Sequence, residues 1–159
     1  MVFLEPTAHA SGYTAVEQGI DVTTDGAVVR GGERLLSRGA SFPAAELSGG
    51  SLATTQATSG AQVDVVVQDH TVEIARVRSD GYLGGLSGNR LAIAQTAPAG
   101  SVSRYRTRIV DISDTGAAER SFDGTGDIDG DQVATFSDDG SVDLHDLATG
   151  QSAPLRAAG

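Results

Sequence analysis

Residues 86–95, LSGNRLAIAQ, contain the pattern that decides the fold of this chain. An apolar residue, a Ser or Asp, a Gly and two variable residues precede a Leu or Val and then an Ala, and the pattern recurs at residues 47–56 (LSGGSLATTQ) and 128–137 (IDGDQVATFS). The three copies therefore start 39 and 42 residues apart. About one period earlier, residues 10–13 keep only the Ser-Gly pair. The sequence predicts three clear repeat units and a fourth, degenerate one before them.

Each unit has the residue pattern of short β-strands. In the third unit, strand-forming runs at 82–87, 90–96, 103–113 and 117–122 are separated by clusters of Gly, Pro, Asn, Asp and Ser. The last unit contains an Asp-Gly pair at 139–140, which is a strong hairpin signal because Gly adopts positive φ without steric cost. No long segment shows apolar spacing at 3.6 residues with caps, so we expect little helix.

A four-stranded unit that repeats about every 40 residues is typical of a β-propeller blade. We therefore predict an all-β fold, a β-propeller or propeller segment of about four four-stranded antiparallel blades, in a single domain of residues 1–159. The units are placed at residues 10–46, 47–85, 86–127 and 128–159, and residues 1–9 are a candidate closing strand. Small residues stand in the middle of the second strand of three units, where blades crowd toward the axis: Ala53, Ala92 and Ala134.

Residues 133–150, VATFSDDGSVDLHDLATG, resemble the second and third strands of a WD-repeat blade. That family commonly reads Leu-Ala-Ser-Gly-Ser-x-Asp-Gly-x-Val-x-Leu-Trp-Asp and ends this stretch with a Thr-Gly turn. The chain departs from the family at His145, where a Trp is usual, and it lacks the Gly-His pair that often opens a blade. The resemblance implies a rigid propeller that presents protein partners with the loops around its central channel.

Composition excludes several classes of function. The chain has no Cys and no Lys, which removes disulfide scaffolds, Cys-ligated zinc, thiol nucleophiles and Schiff-base lysines. The formal net charge of −10 opposes nucleic acid and anionic membranes as partners. No run approaches the ~18 apolar residues of a membrane helix. The first ten residues contain no basic residue that would indicate a secretory signal, so we expect a soluble, cytoplasmic protein.

The net charge is confined to the last part of the chain, because Asp111 to Asp146 contains ten Asp, one Glu and one Arg, while acids and Arg balance elsewhere. Four of these carboxylates have the spacing of calcium-loop ligands: Asp127, Asp129, Asp131 and Asp138. The sixth loop position is Gln132, however, where such a loop needs Gly. The same residues also fit ordinary turns, in which Asp and Gly serve the backbone. A calcium site in the last unit is thus an alternative to a structural turn.

Arginine forms two alternating sets. Arg104, Arg106 and Arg108 occupy one face of a predicted strand, and Arg76 and Arg78 do the same in the preceding unit. If the two faces adjoin, they make a cationic patch that binds carboxylate or phosphate. The alternatives are a solvated outer strand or pairing with the acidic unit. Arg-rich and Asp-rich surfaces would also favour a head-to-tail contact between copies.

Catalytic motifs are missing from the sequence. His9, His70 and His145 fall in different units, and neither a Gly-x-Ser-x-Gly elbow nor a complete dinucleotide fingerprint occurs. We predict no catalytic residue and no cofactor, and we favour a non-enzymatic protein-interaction scaffold with a protein partner or a homo-oligomer. Two alternatives stay open: a propeller domain of an enzyme or ligand-binding protein with calcium in the last blade, and a self-assembling propeller subunit.

Overall fold

The computed structural model describes residues 2–6, 13–22, 28–40, 45–58, 62–69, 72–114 and 118–155, with side chains from residue 45 onward except Ala57. Within these ranges the chain forms fifteen strands and no helix, which confirms the all-β prediction. The described residues accordingly contain no helix that is long and apolar enough to cross a bilayer.

The N-terminal part forms a three-stranded antiparallel sheet, called the N-terminal sheet below. Its strands are β1 (Val2–Pro6), β2 (Tyr13–Val22) and β3 (Val28–Ala40), paired in that order. The candidate closing strand at residues 1–9 thus contributes β1, which pairs with β2.

Three four-stranded antiparallel sheets follow, each a meander with its strands in chain order. Sheet I contains β4 (Ala45–Ser48), β5 (Ser51–Ala57), β6 (Val63–Asp69) and β7 (Val72–Ser79). Sheet II contains β8 (Tyr82–Ser87), β9 (Arg90–Thr96), β10 (Tyr105–Asp111) and β11 (Arg120–Asp123). Sheet III contains β12 (Thr125–Asp129), β13 (Gln132–Phe136), β14 (Val142–Asp146) and β15 (Ser152–Pro154). These sheets confirm four-stranded antiparallel units.

The repeated sequence pattern spans the turn between the first and second strands of each sheet. Its first two residues end β4, β8 and β12, and its Leu or Val and Ala lie in β5, β9 and β13. Each sheet therefore begins a few residues before the pattern does. The pattern recurs because a tight turn needs Gly, while the strand that follows it must be apolar to be buried.

The three sheets pack face to face in chain order, with sheet II in the middle. Leu91 and Ile93 of β9 pack in a buried cluster with residues of sheet I, and Ala92 between them packs in a second cluster with residues of sheet III. Alternate residues of a strand point to opposite faces, so β9 supplies both cores. Strand β9, in the middle of sheet II, is consequently apolar on both faces.

The first strands of sheets I, II and III lie side by side along one edge of the stack. A Cβ on Gly84 of β8 would lie 2.3 Å from the carbonyl oxygen of Gly126 in β12, so only glycine permits this approach. On the other side of sheet I, β3 contacts β5 and β1 contacts β4. The described strands thus form an open stack in the order N-terminal sheet, I, II, III, and they do not close into a ring.

Candidate interaction surface

A hydrogen bond between equivalent turns joins each sheet to the next. The Oγ of Ser48, at the end of β4, accepts from the backbone N–H of Gly88 at 3.0 Å, and the Oγ of Ser87, at the end of β8, accepts from the N–H of Gly130 at 2.8 Å. Gly88 and Gly130 have φ of 55° and 57°, in the left-handed region that favours glycine. The Ser-Gly signature of the sequence is therefore a clasp, in which one sheet supplies the acceptor and the following sheet the donor.

Arginines of sheet II reinforce the contact with sheet III. Arg90 forms an ion pair with Asp131 and donates to the carbonyl oxygen of Gly130 at 3.2 Å. Arg120 donates to the carbonyl oxygen of Leu147. Arg104 donates through its backbone N–H to Asp138 Oδ2 at 3.0 Å. The acids at the start and middle of sheet III are thus partly neutralised by the sheet before it.

His145 of β14 is part of the same contact between sheets II and III. Its ring stacks on Phe122 of β11 with centroids 4.2 Å apart, Nε2 lies 2.9 Å from Thr135 Oγ1, and Nδ1 lies 2.7 Å from Ser152 Oγ. Burial lowers the pKa of His145, and the charge of Asp143 acts in the opposite direction with a smaller effect. His145 is thus a packed histidine whose two ring nitrogens both have hydroxyl partners.

We call the side of a sheet that points to the next sheet its forward face. Four equivalent positions make up its centre: Ala53, Thr55, Val65 and Val67 in sheet I; Ala92, Ala94, Thr107 and Ile109 in sheet II; Ala134, Phe136, Val142 and Leu144 in sheet III. In sheets I and II none of the eight side chains is more than 6% exposed, because the following sheet covers them. The four positions are therefore built to be covered by another sheet.

The forward face of sheet III has no such cover among the described residues. Phe136 is 52% exposed, and Ala134, Val142 and Leu144 are only half-buried. Leu155, just after β15 and 60% exposed, extends the apolar surface. The opposite face of the same sheet is covered by sheet II, and Val133 there is completely buried. The forward face of sheet III thus resembles one side of a sheet–sheet interface whose other side is not among the described residues.

Two carboxylates approach each other where the first strands converge. Glu46 of β4, Gly85 of β8 and Asp127 of β12 occupy equivalent repeat positions. A Cβ on Gly85 would lie 2.0 Å from Asp127 Oδ1, so the absence of a side chain at Gly85 makes room for this carboxylate. Burial, and after it the charge of Asp127, raises the pKa of Glu46. The edge of the stack formed by the first strands is acidic.

The four predicted calcium ligands are not brought together. Asp129 and Asp131 flank the turn between β12 and β13, while Asp138 follows the opposite end of β13. Asp131 pairs with Arg90, Asp138 with Arg104, and Asp127 accepts from the N–H of Ile128. The described residues include no group of three or more acidic or His side chains arranged to hold a metal ion. A calcium site stays a prediction, which melting curves with calcium and with a chelator would test.

The first arginine set, Arg76 and Arg78, lies on the face of sheet I that points away from sheet II. Ala75 and Val77 of β7 pack toward sheet II, so the alternating Arg76 and Arg78 lie on the other side, and both bind the buried carboxylate of Asp64 at 3.0 and 3.1 Å. These hydrogen bonds, that of Arg78 first, hold the pKa of Asp64 below its ordinary value. The pair therefore acts as the partner of an internal acid.

The members of the second arginine set, Arg104, Arg106 and Arg108, do not share one face of the stack. Arg104 precedes β10 and reaches Asp138 of sheet III, whereas Arg106 and Arg108 share the face of β10 that points to sheet I. Arg108 donates to Glu119 at 3.4 Å and to the carbonyl oxygen of Arg78 at 3.5 Å. Pairing with nearby acids thus accounts for Arg76, Arg78, Arg104 and Arg108, and anion binding by either set stays a prediction.

Sequence reasoning did not single out the forward face of sheet III, although a signal was available. Ala134 was recognised as the third member of the set that also contains Ala53 and Ala92. Its two equivalents are fully buried against a following sheet, which makes the position a marker of the covered face. Of the other histidines, His9 and His70 lie outside the described residues.

Comparison with known proteins gives the fold and no family. Neither a protein-family model nor a curated protein matches the chain. The crystal structure of an uncharacterized protein from Listeria monocytogenes EGD-e is similar, with a TM-score of 0.55, 13% sequence identity and coverage of 89% of this chain. The match takes in 50% of that protein, so the chain spans about half its length. The similarity shows a shared all-β architecture.

Proposed function

We propose that this chain is an arc of a β-propeller that serves as a non-enzymatic protein-interaction scaffold, with the forward face of sheet III as its binding surface. One observation carries the proposal. The positions that are at most 6% exposed in sheets I and II are left uncovered in sheet III by the part of the chain that the structure describes, and Phe136 there is 52% exposed. The resemblance of residues 133–150 to WD repeats supports the same function, because propellers of that family present protein partners.

Physical chemistry favours a protein over a small ligand as the occupant of this face. The surface is flat, apolar at its centre and acidic along β12, and it has the shape that receives another sheet at the two interfaces within the chain. Contiguous exposed apolar patches rimmed by polar residues mark protein interaction sites. Covering Phe136 alone would contribute about 1 kcal/mol, and its neighbours add to this.

The environment of His145 supports a structural role for this residue at the contact between sheets II and III. Both of its ring nitrogens lie within hydrogen-bonding distance of hydroxyl groups, and its ring is stacked between sheets II and III. Both hydroxyl partners belong to sheet III, and the ring packs against Phe122 of sheet II. His145 thus contributes to the interface that presents the forward face of sheet III.

The proposal is tested by retaining proteins from a cell extract on the immobilised chain at low surface density, with quantitative mass spectrometry of what binds. Phe136→Asp places a charge at the centre of the forward face, and Ile74→Asp, at an exposed apolar residue of β7 (48% exposed), is the matched control. We expect a set of proteins that is retained by the wild-type chain and by Ile74→Asp and lost with Phe136→Asp. Identical sets for all three chains would refute this surface as the binding site.

A further inference from the structure

The contact between successive sheets is directional, and sheet III has the groups that a sheet offers to its successor without a described successor to use them. Sheets I and II each offer the following sheet a forward face and a serine Oγ, and that Oγ accepts a backbone N–H from the turn glycine of the following sheet. In sheet III the position of Ser48 and Ser87 is occupied by Asp129, whose side chain is exposed. A carboxylate accepts the same backbone N–H, with a stronger, charge-assisted bond. Sheet III therefore retains both halves of what a following sheet needs.

We propose that the following sheet is supplied by a second copy of this chain, whose N-terminal sheet docks on the forward face of sheet III and donates a backbone N–H to Asp129. This inference rests on the proposed function and names the partner of the same surface. The contact is head-to-tail: one copy contributes the last sheet of its stack and its partner the first.

The repeat itself supports the N-terminal sheet as the occupant. Within one chain the N-terminal sheet lies behind sheet I, since β3 contacts β5, and it stands at the opposite end of the stack from sheet III. The sequence just before β2 keeps the Ser-Gly pair of the repeat at residues 11–12. A second copy thus begins with a sheet of the same repeat series, which continues the order in which the sheets stack.

Charge favours this orientation over contact between two copies of sheet III. The segment from Asp111 to Asp146 carries a net charge of −10, so a symmetric contact would bring two strongly acidic sheets together. The three strands of the N-terminal sheet contain four carboxylates and three arginines, all three in β3, so this sheet is nearly neutral and does not repel sheet III as a second sheet III would. In the contact between sheets II and III, arginines of one sheet bind acids of the other, for example Arg90 and Asp131. Head-to-tail docking avoids the repulsion of a symmetric contact, and the arginines of β3 are candidates for such pairs.

The length of the similar solved structure agrees with two copies. The match takes in 89% of this chain and 50% of the Listeria protein, so two copies together are slightly longer than the single chain of that protein. A head-to-tail contact either closes into a ring or continues as an open filament. Two copies that close on each other would leave no uncovered forward face.

The first experiment measures the mass of the full chain by sedimentation equilibrium at concentrations up to about 100 μM, where micromolar association is visible. We expect an integer multiple of the 16.2 kDa monomer. Phe136→Asp should weaken the association at least about tenfold, since it removes apolar contact and adds a charge, and Ile74→Asp should leave it unchanged. A monomer at every concentration, or equal association of both variants, would overturn the proposal.

The clasp residue has its own matched pair. Asp129→Ala should weaken the association about fivefold through loss of one charge-assisted hydrogen bond. Asp129→Ser, which installs the residue found at the other two clasps, should restore most of it. Because residue 129 is exposed, both variants should fold like the wild type, as checked by circular dichroism. Equal association of the two variants would remove Asp129 from the interface.

The orientation is tested by a photo-crosslinking amino acid at position 136 in a mixture of isotopically heavy and light chains. Crosslinks between heavy and light chains that join position 136 to residues 2–40 are expected. Crosslinks from position 136 to position 136 would show a symmetric contact and overturn the head-to-tail arrangement. A monomeric chain that still retains other proteins through Phe136 would overturn the second copy as occupant and leave the scaffold function standing.

Discussion

Sheets II and III have the same strand order, the same turn and the same alanine in their second strand, and they differ in what lies in front of them. Ala92 of sheet II is completely buried under sheet III, whereas Ala134, its equivalent, is half exposed. The same contrast holds for Ile109 and Leu144 on the neighbouring strands. In a repeat protein the repeat thus determines which residue type occupies a position, and the neighbouring repeat determines how much that residue contributes to stability.

The largest difference is expected where a large side chain is truncated. Ile109→Ala should lower the free energy of unfolding by about 3 kcal/mol, because it leaves a cavity between two sheets. Leu144→Ala should cost less than about 1 kcal/mol in the monomer, since Leu144 has no covering sheet. Urea unfolding at low protein concentration measures both values. Equal losses would mean that the forward face of sheet III is covered within the chain.

A larger side chain at the alanine that recurs in the repeats tests the same contrast between sheets II and III by adding volume instead of removing it. Ala92→Leu should destabilise the chain by about 2 kcal/mol, because the space between sheets II and III is already filled. Ala134→Leu should change the stability by no more than about 0.5 kcal/mol, because its side chain can extend into solvent. Thermal and urea unfolding report both changes, and a large loss with Ala134→Leu would contradict the open face.

A smaller effect is expected at the clasps. Ser87→Ala removes the acceptor for the N–H of Gly130 and should cost about 1 kcal/mol. Asp129→Ala in the monomer should cost no more than about 0.5 kcal/mol, because no following sheet is present. Equilibrium unfolding below the association range gives the comparison. If Ser87→Ala and Asp129→Ala lowered the free energy of unfolding equally, the clasp would not depend on the presence of a following sheet.

The smallest effect concerns pH at the contact between sheets II and III. Burial lowers the pKa of His145 from its ordinary value of 6.5, so the folded chain binds this proton less readily than the unfolded chain. The associated stability is complete above pH 6.5 and is lost as the pH falls toward the folded-state pKa. Unfolding curves from about pH 7.5 to about pH 5.5 should therefore show a loss that is reduced in His145→Gln. Parallel pH profiles of the two chains would contradict it.

Much of the local structure was predictable because it depends on neighbouring residues. The runs at 82–87 and 90–96 are β8 and β9, and the predicted Asp138-Asp139-Gly140 turn separates β13 from β14. Alternating apolar residues and turn-forming Gly and Asp decide such features within a few positions. The first strand of sheet III was harder to recognise, because β12, TGDID, has two Asp and one Gly among its five residues.

The candidate surface and the contacts of charged residues were less predictable, because they depend on residues about 40 positions apart. The sequence places Arg104, Arg106 and Arg108 at alternating positions, yet only the stacking of sheets directs Arg104 to sheet III and the other two toward sheet I. The spacing of Asp127, Asp129, Asp131 and Asp138 matches that of the ligands in a calcium-binding loop. In the structure, however, strand β13 separates Asp138 from the other three. Spacing along a chain describes a site only when the chain between its members is a loop.

The sequence by itself determined the all-β class, the repeat of about 40 residues and the turns, since each follows from the local conformational preferences of Gly, Asp and alternating apolar residues. Only the tertiary structure decided which face of each strand is covered, that the Ser-Gly pairs join successive sheets, and that sheet III ends the described stack with an apolar face. The physical reason is that burial is a property of the neighbour as well as of the residue, so equivalent alanines can be core in one sheet and surface in the next.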